Sequence, residues 1–303
     1  MVTGTRAVRT AAAAVAAVAL SAATAAAATE LPADVCRALT YFNVFALRDF
    51  HLEASEVLGP LAVGGDARLT AFSINSVGRC GADHRPPRTP ALAVGGHLRA
   101  DNGQINAGTV HVGRGKYTGT SLGLRCAKVV HERLDLEGLA HAATAVHDGL
   151  CATREAHCHT AVDDAGGIRM TVRGGGEVTC VVSAAHLGRA SSVSIVGRRG
   201  RQIVLVKVVG RDHDDGRAVT LTNFGFAGFV PETTVVALCD VRAVVIDNVG
   251  VPAAVIAPKT DLSGPAGHIL GTVIVRSSKG GVEFRHAPFG CGDAAEPSPS
   301  PEV

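Results

Sequence analysis

Short apolar runs closed by glycine set the rhythm of this chain. Leu61-Ala62-Val63-Gly64-Gly65 returns as Leu92-Ala93-Val94-Gly95-Gly96, and Thr109-Val110-His111-Val112-Gly113 is a looser third copy. Each of the first two precedes a stretch of strand character, Ala67 to Ile74 and then His97 to Ile105. Self-similar units of a short strand and a glycine corner predict coils that stack and bury together what one unit leaves exposed. Unrelated β-hairpins in a sandwich are the plainer alternative. Strands resume later. Ile168 to Val172 alternates, as does Val178 to Ser183 more weakly. Ile203 to Val209 is almost continuously apolar, which predicts burial on both faces. Val241 to Ile246, Ala253 to Ala257 and His268 to Val275 complete a second strand-rich half.

One segment breaks the pattern. From about Val129 to Thr153 glycine thins out and alanine rises. Leu139, Ala143, Val146 and Leu150 fall on one face of a 3.6-residue period, so Leu134 to Leu150 is predicted as a helix that lies along a β surface and buries that stripe. Asp135 and Glu137 stand near its start, where negative charge suits the helix dipole.

The ends carry different signals. Arg6 and Arg9, an alanine-rich run from Ala11 and the small residues Ala25 to Ala28 predict an export signal over residues 1–28. A membrane anchor is the alternative, but alanine is weakly apolar and the run barely reaches a span. The folded domain is placed at 29–291, and 292–303 is a proline-serine tail, expected to be extended and unstructured.

Loss of Arg6 and Arg9 leaves 27 basic residues of the chain's 29 against 27 acidic ones. A formal charge of zero argues against nucleic acid or an anionic membrane as partner. All eight cysteines, Cys36, Cys80, Cys126, Cys151, Cys158, Cys180, Cys239 and Cys291, follow the signal. An even count in an exported chain predicts disulfides, and the nearest local pair is Cys151 with Cys158. With no Trp, 2 Tyr and 36 Gly, the core must be built from Val, Ala, Leu and Ile, which suits many short strands and tight corners.

Several blocks in order resemble the choice-of-anchor A domain of exported surface proteins. They are Tyr41 to Leu52, Glu56 to Gly65, the repeat at Leu92 to Gly96, the helix at Leu134 to Leu150, Val181 to Leu187, Ala254 to Pro258, Ile269 to Ile274 and Glu283 to Phe289. The likeness spans about Ala38 to Cys291. It implies a β-solenoid with one flanking helix, related in shape to ice-binding and adhesive solenoid domains, and an extracellular or surface-attached role. Arg48 departs from the family's usual Gly and Lys259 from its frequent Asn. The tail holds no sortase motif, terminal helix or lipid-anchor signal.

Candidate chemistry is sparse. His147, Cys151, His157, Cys158 and His159 are metal-ligand types, but their spacing fits no common zinc signature, and a loop closed by Cys151–Cys158 is the preferred reading. Asp212-His213-Asp214-Asp215-Gly216 lacks the spacing of a standard calcium loop and reads as a solvated turn. Asp163-Asp164 and Asp214-Asp215 are adjacent pairs, and neighbours on a strand point to opposite faces. There is no G-x-S-x-G or H-E-x-x-H, and Gly174-Gly175-Gly176 lacks the lysine and helix of a phosphate loop. Thr118-Gly119-Thr120 and Thr220-Leu221-Thr222 do not recur at rung spacing, as an ice-binding ladder needs. The expected protein is a mainly β, disulfide-stapled β-solenoid (β-helix) with one long flanking α-helix. It is secreted, without catalytic, cofactor or metal residues. Its expected partner is a cell-wall or matrix polysaccharide or protein surface. A carbohydrate- or ice-binding module and a polysaccharide-degrading β-helix enzyme are the alternatives.

Overall fold

In a computed structural model, the structure describes residue 36 and residues 40–81, 87–113, 117–130, 132–210 and 218–290. The predicted export signal, the tail, Cys291 and Asp212 to Gly216 lie outside the described residues.

The fold is mainly β and β-helix-like, with strands stacked almost throughout in parallel on three faces. The glycine-closed repeats lie directly above one another. Leu61, Ala62 and Val63 pair with Leu92, Ala93 and Val94, and these pair with Val110, His111 and Val112. Repeat spacing in the sequence is thus coil spacing in space. On the first face the ladder runs from Ala127–Val130 through those three rungs to Val44–Ala46. It continues through Val273–Val275, Ala254–Ala257, Thr234–Cys239 and Val204–Val209 to Val178–Ser183. Val44–Ala46 therefore sits in the middle. The first described strand lies there, and from it the chain winds to one end by residue 130, crosses outside as a helix, and winds back from the other end until Val273–Val275 closes against it.

The crossing helix, α1, covers Leu136–Ala152, two residues later than the sequence predicts. Asp135 explains the later start. Its carboxylate accepts from the amide of Gly138 as an N-cap, which leaves Leu134 outside the helix. The predicted stripe faces inward. Ala143 is buried, and Leu139, Val146 and Leu150 join a cluster with Phe45, Ala62, Ala93, Ala237, Ile256 and Ile274, the outward side chains of the first face. That cover is why Val204–Val209 is apolar on both sides apart from Lys207, whose ammonium donates to the carbonyl of Thr153 just past the helix. Ile203, predicted buried, lies outside the strand and is exposed. Val204, Val206 and Val208 point into the stack while Leu205 lies in the α1 cluster. A second, short helix, α2, spans Ala184–Leu187.

Corners are built from two devices. Where the first face turns to the second, Gly64 and Gly95 stack so closely that a Cβ would come within 2.3 Å of the carbonyl oxygen of Leu47 and Gly64 respectively. The residue two positions on ties coil to coil: the Asp49 carboxylate accepts from the amide of Asp66, and that of Asp66 from the amide of His97. Where the second face turns to the third, Ala54, Ala71, Asn102 and Ser121 share φ values of 51–56° in consecutive coils. Asparagine reaches that left-handed corner at lower cost than β-branched residues do.

The ends of the stack differ. At the second end Cys158–Val162 runs antiparallel to Gly167–Val172 and lies across the last coil. Beneath it Ile168, Met170, Val178 and Cys180 are buried.

Candidate functional site

Disulfides fix α1, the antiparallel strand and the long corner after Ile74. Cys151 on α1 bonds to Cys239 on the first face, Cys158 on the antiparallel strand to Cys180, and Cys80 in the long corner after Ile74 to Cys126. Cys36 is also disulfide-bonded. The predicted Cys151–Cys158 loop is therefore incorrect. α1 extends through Cys151 and turns its sulfur onto the sheet beneath, whereas Cys158 opens a strand that heads for the far end of the stack.

The cluster of metal-ligand types divides in the same way. His147 and Cys151, one helical turn apart, meet Cys239, with their ligand atoms within 4.8 Å of one another. His157, Cys158 and His159 do not join them. His147 is buried, its Nε2 lies 3.0 Å from the carbonyl oxygen of Leu238 and its Nδ1 3.3 Å from Asp148. Both sulfurs are held in the disulfide, so His147 functions as a peg between helix and sheet. Asp148 in turn meets Lys259 at 2.5 Å, and that ammonium holds the Asp148 carboxyl below its usual range. Lys259 thus anchors the exposed side of the same helix.

The grooves that open to solvent among the described residues include two with polar linings. One, of about 540 Å³, runs beside the entry to α1 and is lined by His111, Glu132, Asp135 and Glu137. Two of its polar groups have structural partners: Asp135 caps α1, and His111 engages Thr109 Oγ1 and the carbonyl of Glu132. Among the described residues, the set of His, Cys, Asp or Glu ligand atoms that converges is the one at His147, not these acids. The other groove, of about 440 Å³, is lined by Tyr41, Asn75, Arg79 and His286. Tyr41 donates to the carbonyl of Pro90, and both carbonyls at Asn106 and Ala107 accept from the amide of Asn75. Asp163, one of the paired acids singled out in the sequence, caps a turn by accepting from the amides of Ala165 and Gly167.

With α1 over the first face, the second face offers the regular outer surface. Lys279, His51, Arg68 and Arg99 stand in one column on four adjacent rungs, all exposed. Glu53, Thr70 and Asp101 form the next column. Asp101 accepts from Arg99 and from Thr120, and these hydrogen bonds hold its carboxyl below the usual range. Nearer the corner, Arg276 pairs with Asp261. Rungs lie about 4.8 Å apart, so like charges in register repel. The two threonine pairs do not form a ladder. Thr220 and Thr222 pair with Val245 and Asp247, and Thr118 pairs with Arg99. Single-sequence reasoning missed the charge column because its members sit in four separate stretches. The signal was the phase of each charge relative to its glycine corner.

The profile of one family, described as "Putative Ice-binding-like adhesive domain", matches residues 35–286. The chain belongs to this family. A solved structure, the crystal structure of an ice binding protein from an Antarctic Biological Consortium, is similar at 10% identity, covering 82% of this chain and 88% of that one with a TM-score of 0.40. At that level the likeness assigns no function. No curated protein matches the chain in sequence. Among the described residues no helix is long and apolar enough to cross a membrane.

Proposed function

We propose that this adhesive domain is a secreted β-solenoid of the choice-of-anchor A kind. It holds a cell-wall or matrix polysaccharide, or a protein surface, against its uncovered faces without catalysis. Family membership over residues 35–286 carries the reading. The column of Lys279, His51, Arg68 and Arg99 beside Glu53, Thr70 and Asp101 supports it. A rigid grid of exposed charges makes many weak polar contacts with a long partner. The same grid disfavours ice, which calls for a flat, repeated array of short uncharged side chains.

The test is a glycan and cell-wall binding screen on the oxidised chain, run beside assays for thermal hysteresis and for release of reducing sugar. Retained binding to a wall or matrix component, with neither hysteresis nor released sugar, is the expected result. Thermal hysteresis would move the assignment to ice, and sugar release to an enzyme.

A further inference from the structure

The contact between α1 and the first face holds more chemistry than a disulfide. His147 and Cys151 are four residues apart on one side of α1, and both meet Cys239 on the sheet. The two sulfurs and His147 Nε2 all lie within 4.8 Å of one another, and Nε2 is 3.4 Å from the Cys151 sulfur. His147 and Cys239 are buried and Cys151 is half-buried, in the apolar cluster that includes Val146, Leu150 and Ala237. Leu238 adds a carbonyl oxygen 3.0 Å from Nε2. Behind the ring, Nδ1 faces Asp148 at 3.3 Å, and Lys259 holds that carboxylate in place. A peg needs one hydrogen bond, and Nε2 makes it with Leu238. The two sulfurs in front of the ring and the carboxylate behind it exceed that need.

We propose that, once its disulfide is opened, this cluster is a closed site for a thiolate-seeking divalent cation of the Zn²⁺ class. α1 is then fastened to the first face by either of two exchangeable staples, a disulfide or a metal ion. Opening takes a thiol reductant. Two molecules of thiol, RSH, convert the Cys151–Cys239 bond to two cysteine thiols and leave as the disulfide RSSR. The cation takes both sulfurs as thiolates, which releases two protons, and accepts the lone pair of His147 Nε2. The ring proton then sits on Nδ1 toward Asp148, the outer-shell arrangement that orients metal-bound histidines. With the disulfide closed, Nε2–H donates to Leu238 instead. Zinc–sulfur and zinc–nitrogen bonds of about 2.3 and 2.0–2.1 Å in a tetrahedron set sulfur and nitrogen about 3.6 Å apart, close to the separation already present. The Leu238 carbonyl stands where a fourth donor belongs. Sulfur and imidazole select Zn²⁺ over Mg²⁺ or Ca²⁺, and two thiolates cancel the charge of a divalent ion in this apolar setting.

The experiment compares the full chain oxidised and reduced, the latter treated with mercaptoethanol and desalted without air. Co²⁺ is the probe, because thiolate-to-cobalt absorption reports sulfur ligation. The reduced chain should show that absorption, Zn²⁺ should abolish it by displacement, and the oxidised chain should show none. The double variant Cys151→Ser with Cys239→Ser should lose it. The matched control, Cys158→Ser with Cys180→Ser, removes a disulfide elsewhere and should keep it. His147→Ala should weaken Co²⁺ binding at least about tenfold. Thermal unfolding by circular dichroism covers the case in which a variant misfolds. Zn²⁺ should raise the midpoint of the unaltered reduced chain, because it binds the folded form. Absence of thiolate–cobalt absorption overturns the proposal. So does absorption that survives loss of Cys151 and Cys239, or binding that ignores His147→Ala. A reduced chain that is unfolded with and without Zn²⁺ also overturns it, because the fold then fails to assemble the site.

Discussion

Asn43 is 2% exposed and serves three segments at once. Its amide donates to the carbonyls of Gly271 and Arg285 at 2.9 and 3.1 Å, and its Oδ1 accepts from the amide of Gly59 at 3.0 Å. Replacing it with alanine leaves these buried groups unpaired. Each unmet group costs about 1–3 kcal/mol, so Asn43→Ala should destabilise the fold by about 2–4 kcal/mol, read from urea unfolding. His286 lies close by, with an Nδ1 that a Cβ on Gly59 would approach to 2.4 Å. Burial pushes its imidazole below the usual histidine range. As pH falls below about 6.5 the unfolded chain takes up a proton there that the folded chain refuses until lower pH. Folding stability should therefore drop between pH 7 and the lowered folded value, and His286→Gln should flatten that slope. A slope unchanged by the substitution would assign the effect elsewhere, for instance to His268, which burial and Arg285 also lower.

At the scale of elements, α1 shows what pattern can and cannot tell. Its stripe of Leu139, Ala143, Val146 and Leu150 is legible because a helix that lies on a sheet must carry one apolar face. The strand repeats are legible because parallel stacking turns coil length into sequence period. Partners across the chain are not legible. Nothing local to Cys151 says that its mate is Cys239, 88 residues on, rather than Cys158. Nor does anything in Val44-Phe45-Ala46 announce a place between Leu61–Val63 and Val273–Val275. Those facts follow from which coil lies next to which, and coil order is set by long-range contacts. The outward charge column was hidden for the same reason. The Cys151–Cys239 bond constrains a long loop of the unfolded chain, and removing such a bond costs about 2–5 kcal/mol. The double replacement Cys151→Ser and Cys239→Ser should lower stability by that amount in guanidinium unfolding. His147 should still dock through its contact with Leu238, so the helical signal in circular dichroism should persist below the transition.

For the molecule as a whole, the central feature is a seam. Residues 44–46 pair with 61–63 on one side, close in sequence, and with 273–275 on the other, close to the opposite end of the described chain. Coils such as Leu61–Val63 on Leu92–Val94 can form from nearby segments, while the seam closes only once both halves have wound and α1 has carried the chain from end to end. Loop closure must be met before such contacts contribute, so folding of this topology should be slow, with the seam formed late. A contact made after the transition state affects unfolding more than folding. Asn43→Ala, which acts at the seam, should therefore raise the unfolding rate while leaving the refolding rate almost unchanged in stopped-flow measurements. Ile74→Val, a loss of one buried methylene between adjacent early coils, should cost about 0.5–1.5 kcal/mol and show a larger share of that cost in slower refolding. If instead Asn43→Ala slows refolding in proportion to its full destabilisation, the two halves meet first and the coils wind around a preformed centre.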